Sequence, residues 1–244
     1  MSSVLVETHE KIMVVTLNRP EARNAWDNSL AEGLHAAWVE FAASDALVCV
    51  VKGAGKHFSA GIDLKNPPTE GFRAQPNLSV PCNKPIIVAV EGACLGVACS
   101  FTLLADIVIA DESAYFAYLE AKIGIFHGLM GGFPGRLSYK AGLQWILTGE
   151  RMPAARACEI GMVSEVVGQG KAFERAMEVA RQIAQNAPLV VQAMKSLALG
   201  TLTKGPVEQN FIQQQLLQLV AASDDAKEGI RAFGEKRQPR FSGQ

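Results

Sequence analysis

The chain has 244 residues, 49% of them hydrophobic and 19% charged, with a formal net charge of −1. That is enough apolar material for one large core, or for one core with a helical appendage. The near-neutral charge argues against a nucleic-acid partner and against an acidic tail. The five cysteines, Cys49, Cys82, Cys94, Cys99 and Cys158, form no Cys-x-x-Cys pair and are odd in number. They read as free thiols of a reducing compartment rather than as disulfides or a zinc site.

Taken in order, Val4–Glu7 and Ile12–Leu17 read as a hairpin across the polar Thr8–Lys11 turn. Trp26–Ala43 carries apolar residues at helical spacing. Ala46–Val51 is apolar throughout and reads as a strand buried on both faces. A Gly-containing turn follows at His57–Leu64. Lys65–Cys82, rich in Pro, Asn, Gly and charge, reads as a surface loop with at most a short helix, and as a candidate lid.

From Pro85 the pattern is strand, tight Gly turn and helix up to Ala105, then a strand at Ile107–Ala110. A turn that opens a helix presents backbone N–H groups without intrahelical acceptors. Such donors suit an anion or a developing oxyanion. The spacing predicts short helices at Lys140–Leu147 and from Pro153 to Gly161, and an edge strand within Met162–Val167. Four helices follow: Phe173–Gln185, Leu189–Leu199, Val207–Ala222 and Ala226–Phe233. Strands alternating with helices, then helices alone, predict an α/β core and a helical tail.

Several segments together resemble the crotonase superfamily, the enoyl-CoA hydratase/isomerase group. They are Leu17–Ala25 (LNRPEARNA), His57–Leu64 (HFSAGIDL), Pro85–Asp106, Phe116–Gly124, Leu147–Arg151, Ala157–Val166 and Phe233–Phe241. They stand in the family's order and cover nearly the whole chain. The resemblance implies a spiral of ββα units over residues 1–187 and a helical oligomerisation region over 188–244. It implies a homotrimer or hexamer, an acyl-CoA thioester as ligand, and no metal or separate cofactor. A role in fatty acid metabolism goes with it.

The residue roles it implies are specific. The N–H groups of Ile62 and Val97 would hold the thioester oxygen. Coenzyme A would be met by Arg23, Ala60, Leu64, Lys65 and Lys236. Glu120 matches the second of the two glutamates that hydratases use; Ser100 stands where the first would be. Adding water draws on both carboxylates, and an unassisted serine hydroxyl is a poor base. Moving a double bond needs one carboxylate, so isomerisation is expected ahead of hydration. Ser100 is expected as a small residue in a packed helix bordering the substrate pocket. His127, where many relatives have proline, is expected beside it.

Other readings stay open: enoyl-CoA hydration, hydrolysis or decarboxylation of an acyl-CoA, or a non-catalytic acyl-CoA binder. Taken alone, Glu120 would be a solvated glutamate beside Lys122. The N-terminus shows no secretory pattern and the apolar runs are too short to span a bilayer, so a cytoplasmic protein is expected.

Overall fold

The computed structural model describes residues 2–125 and 129–243, the side chains of Gln215, Leu216 and Leu219 aside. In chain order the regular elements are β1 (Val4–His9), β2 (Ile12–Leu17), α1 (Asn28–Ala43), β3 (Val48–Gly53), β4 (Ile86–Val90), β5 (Ala93–Leu95) and α2 (Val97–Leu104). Next come β6 (Ile107–Asp111), β7 (Tyr115–Ala117), α3 (Glu120–Ile123), α4 (Tyr139–Thr148), β8 (Met152–Pro153), α5 (Ala154–Glu159) and β9 (Glu165–Val167). The tail holds α6 (Ala172–Ala184), α7 (Pro188–Thr201), α8 (Pro206–Ala222) and α9 (Asp224–Gly234).

Two sheets run side by side. The larger has six strands in the order β1-β2-β3-β4-β6-β9, and the smaller has three, β5-β7-β8. Only β1 pairs antiparallel in the larger sheet; β2 through β9 pair in parallel. Each turn of chain lays one strand in the large sheet, one in the small sheet, and then a helix: β4, β5, α2, followed by β6, β7, α3. This is the expected ββα spiral.

The strands lack alternation because both faces are covered. Met13, Val15, Leu17, Cys49, Val51, Ile86 and Val88 pack in the core that holds α1. Their neighbours Ile12, Val14, Val48, Val50, Ile87 and Ile109 pack against Ala172, Ala176 and Ala180 of α6. Small residues on α6 let the helix approach the sheet closely. At the start of α1, Asp27 accepts from Leu30 N at 2.9 Å and caps the helix.

Two expectations are corrected. The short strands β5, β7 and β8 were not foreseen; β5 stands between the β4 strand and the Gly turn. Segment 65–82 is no plain surface loop. Ala74 and Gln75 are fully buried, and the Trp38 indole N–H donates to Ala74 O at 2.7 Å. A single 3-10 turn, Gly71–Ala74, forms there. The five cysteines are free, with Cys49, Cys94 and Cys99 buried. No helix among the described residues is long and apolar enough to cross a membrane.

Helix α7 of the tail is fastened to the core by a buried cation. Lys195 on α7 uses all three of its donors, to Asp106 Oδ2 at 2.8 Å, Asn77 Oδ1 at 2.8 Å and Lys84 O at 2.7 Å. Its side chain is 7% exposed and that of Asp106 is 17% exposed. Removing one partner leaves the other charge with little water to replace it. Lys195→Ala should therefore cost about 2–3 kcal/mol, the low side of what such losses cost because Asp106 keeps some solvent. The measurement is the urea midpoint at unchanged m-value. Lys227→Ala, which breaks an exposed pair with Asp224 on α9, should leave the midpoint in place.

Candidate active site

The site is assembled by the register of successive spiral turns. Ser59 bridges Cys94 in parallel: Ser59 N donates to Ala93 O at 2.9 Å and Leu95 N to Ser59 O at 3.0 Å. Ile62 and Val97 each lie three residues beyond this pair, so the two strands deliver them to one level. The third rung is β7, where Leu95 pairs with Ala117 and Gly96 N donates to Ala117 O at 2.9 Å. Tyr118, Leu119 and Glu120 follow directly. Three turns of the spiral thus end at one edge, with Glu120 opening α3.

Glycines permit this closeness. Gly61 has φ +88° and Gly96 has φ +54°, both in the left-handed region. A Cβ on Gly61 would come to 2.7 Å from Leu95 O and 3.7 Å from Gly96 Cα. Among the described residues, neither Ile62 N–H nor Val97 N–H finds a backbone or side-chain acceptor. For Val97 the reason is its place in the first turn of α2. Ile62, Val97, Ser100 and Glu120 all line one cavity of about 320 Å³.

The LNRPEARNA segment acts as a clamp on this edge. Asn24 is fully buried and donates to Ala54 O at 2.9 Å and His57 O at 2.8 Å. Ser59 Oγ donates to Asn24 O at 2.8 Å and accepts from Gly61 N at 3.1 Å. Trp26 N donates to Gly61 O at 2.8 Å, and Asp63 N to Trp26 O at 2.9 Å. Arg19 pairs with Asp27 at 3.2 Å and Asp63 at 3.4 Å. These contacts fix the backbone on both sides of Ile62. Asn24, Ser59 and Arg19 were inside the recognised segments, but their role was not read from them.

The cavity wall is mainly apolar. Phe72 from the 3-10 turn stacks on Phe211 of α8, with centroids 4.2 Å apart and planes 5° from parallel. Both rings line the cavity, together with Ile123, Ile125 and Leu129. The helical tail therefore contributes to the pocket of its own chain.

One polar corner interrupts this wall. Glu120 is half-buried. Tyr118, 5% exposed, brings its phenol beside the Glu120 carboxylate. Burial first, then that carboxylate, push the phenol well above its usual range. Ser100 Oγ makes no hydrogen bond to a described residue. Trp26 Nε1 is a second buried polar atom without a partner among the described residues, on another wall of the same cavity. Tyr118 was missed in the sequence. The available signal was a polar aromatic two residues before the candidate base, within a recognised segment.

The remaining expected residues divide. Ala60 and Leu64 line the cavity, Leu64 at 67% exposure at its mouth. Ala60 N donates to Arg23 O at 2.9 Å, which sets Arg23 beside the mouth with its side chain exposed. Lys65 is exposed on the turn after Asp63, whose carboxylate accepts from Lys65 N at 3.2 Å. Lys236 is exposed beyond α9 and does not line the cavity of its own chain. His127 lies outside the described residues. Among the described residues, no group of three His, Cys, Asp or Glu is gathered as a metal site.

Fold and site together bring Ile62, Val97 and Glu120 to the lining of one mainly apolar cavity on a ββα spiral. The sequence profile of the enoyl-CoA hydratase/isomerase family matches residues 7–244, and the chain belongs to that family, within the crotonase superfamily. It is 36% identical over 258 residues to the 2,3-dehydroadipyl-CoA hydratase of Escherichia coli (strain K12), covering 100% of both chains. It is also 36% identical to the (E)-benzylidenesuccinyl-CoA hydratase of Thauera aromatica, covering 98% of this chain and 99% of the other. A crystal structure of a probable enoyl-CoA hydratase/isomerase from Mycobacterium abscessus superposes with a TM-score of 0.77 at 36% identity, covering 100% of each chain. The protein is an acyl-CoA-processing enzyme of the hydratase/isomerase type.

Proposed function

We propose that the enzyme moves protons on an enoyl thioester of coenzyme A through an enolate, with Glu120 as its acid and base. The observation that carries this reading is the meeting of Glu120 with the Ile62 and Val97 amides at one apolar cavity. Removing a proton from the carbon beside a thioester puts charge on the carbonyl oxygen. Two fixed N–H donors in a water-poor site stabilise that charge. Arg23, Ala60, Leu64, Lys65 and Lys236 are the residues proposed to meet coenzyme A. A homotrimer or hexamer is proposed through the tail, where Leu189, Met194 and Leu197 of α7 are exposed at 81%, 66% and 73%.

A single carboxylate suffices for isomerisation. Glu120 takes a proton from C2 of a 3-enoyl thioester and returns it to C4, leaving the conjugated 2-enoyl product. Hydration is the second reading, favoured by the hydratase names of the relatives at 36% identity and by the polar corner at Tyr118. Absorbance of the conjugated thioester separates the outcomes. Gain from a 3-enoyl-CoA marks isomerisation, and loss from a 2-enoyl-CoA marks hydration. Binding without either change would remove the catalytic reading and leave a non-catalytic binder.

A further inference from the structure

A buried hydroxyl without a partner marks a place where a water or a ligand oxygen belongs. Ser100 is 1% exposed and its Oγ is such an atom. It stands on α2, one turn of the spiral away from Tyr118 and Glu120, and all three residues line the same cavity. Tyr118 stands two residues before Glu120 in the chain, its phenol on the cavity that Ser100 also lines. A held water needs two to four polar partners and room of about 30 Å³. The cavity of about 320 Å³ offers the room. The corner offers three partners: a hydroxyl, a phenol and a carboxylate. Most of the remaining wall is apolar.

We propose that Ser100 Oγ, the Tyr118 phenol and the Glu120 carboxylate hold the water that adds across the enoyl double bond, so that Tyr118 takes the place of a second carboxylate. This rests on the enolate reading above. The water oxygen bonds to C3 while Glu120 takes one of its protons. The π electrons move to the thioester oxygen, where the Ile62 and Val97 amides receive them. Glu120 then returns the same proton to C2, the carbonyl reforms, and Glu120 is a carboxylate again. The product is the 3-hydroxyacyl thioester, and no other reactant is consumed. Because burial keeps the phenol protonated, Tyr118 orients the water by hydrogen bonding and does not itself take the proton.

The test compares two reactions in one preparation. Wild type, Tyr118→Phe and Ser100→Ala each receive a 2-enoyl-CoA and a 3-enoyl-CoA of the same chain length. Products are resolved by chromatography. In Tyr118→Phe, the ratio of the hydration rate to the isomerisation rate should fall about 30-fold. In Ser100→Ala, the same ratio should fall roughly tenfold. The ratio of the two rates is independent of how much protein has folded. Equal losses in both reactions, or undiminished hydration, overturn the water site. A wild type that isomerises without hydrating overturns it and leaves the enolate reading standing. A wild type that does neither overturns both.

Discussion

Glu120→Gln should lower kcat for both enoyl substrates by roughly 100- to 10,000-fold, the usual worth of a positioned acid or base. Glutamine keeps the size of the side chain, but it cannot take a proton. If Glu120 acts only in proton transfer, KM should change little, because thioester binding is left to the amides and to the coenzyme A contacts. The residue is half-buried at the first position of α3, so thermal stability should move by no more than a few degrees. Full activity in the glutamine variant would remove Glu120 from the chemistry. An equal loss through KM alone would make it a binding group instead.

What the sequence alone reveals of the fold is a matter of range. The strands of the large sheet were legible because two-sided burial writes an unbroken apolar run, as in Val48–Val51 and Ile86–Val90. The helices α4 and α5 were legible from their flanking Gly and Pro; Gly149 takes a left-handed φ of +59° at the end of α4. The strands β5, β7 and β8, two or three residues each, are too short to show any period. They exist because neighbouring spiral turns hold them, as Ser59 holds Cys94. Burial of Ala74 and Gln75 likewise depends on Trp38, far away in the chain. Nothing local in a Pro- and Gly-rich stretch announces that contact.

The same distinction applies inside the site. Ile62, Val97 and Glu120 were named because recognised segments carried them. That they share one edge follows from the parallel register, in which Ser59 pairs with Cys94 and Leu95 with Ala117. The sequence shows three segments, whereas the register shows that they are consecutive rungs. Lys236 illustrates the reverse case. Its segment resembles the family's, but its own chain leaves it exposed and away from the cavity.

Gly61→Ala should damage the reaction far beyond the size of one methyl. The added Cβ would sit 2.7 Å from Leu95 O and 3.3 Å from Leu95 C, both backbone atoms of the adjacent rung. Neither can swing aside as a flexible side chain could. The rungs must part, and the first groups they separate are the Ile62 and Val97 amides. Loss of one oxyanion donor typically costs about 100- to 1,000-fold in kcat, and a fall of at least that size is expected for both isomerisation and hydration. The φ of +88° adds backbone strain of about 1 kcal/mol or more for a residue with a Cβ. Gly170→Ala separates the two effects. Gly170 has φ +73° with nothing within 4 Å of its added Cβ, so it carries the strain without the collision. It should lose a similar increment of stability and keep its kcat. If Gly61→Ala matched Gly170→Ala in activity as well as stability, the spacing of the two rungs would not matter to the reaction, and the amides of Ile62 and Val97 would not be its oxyanion donors.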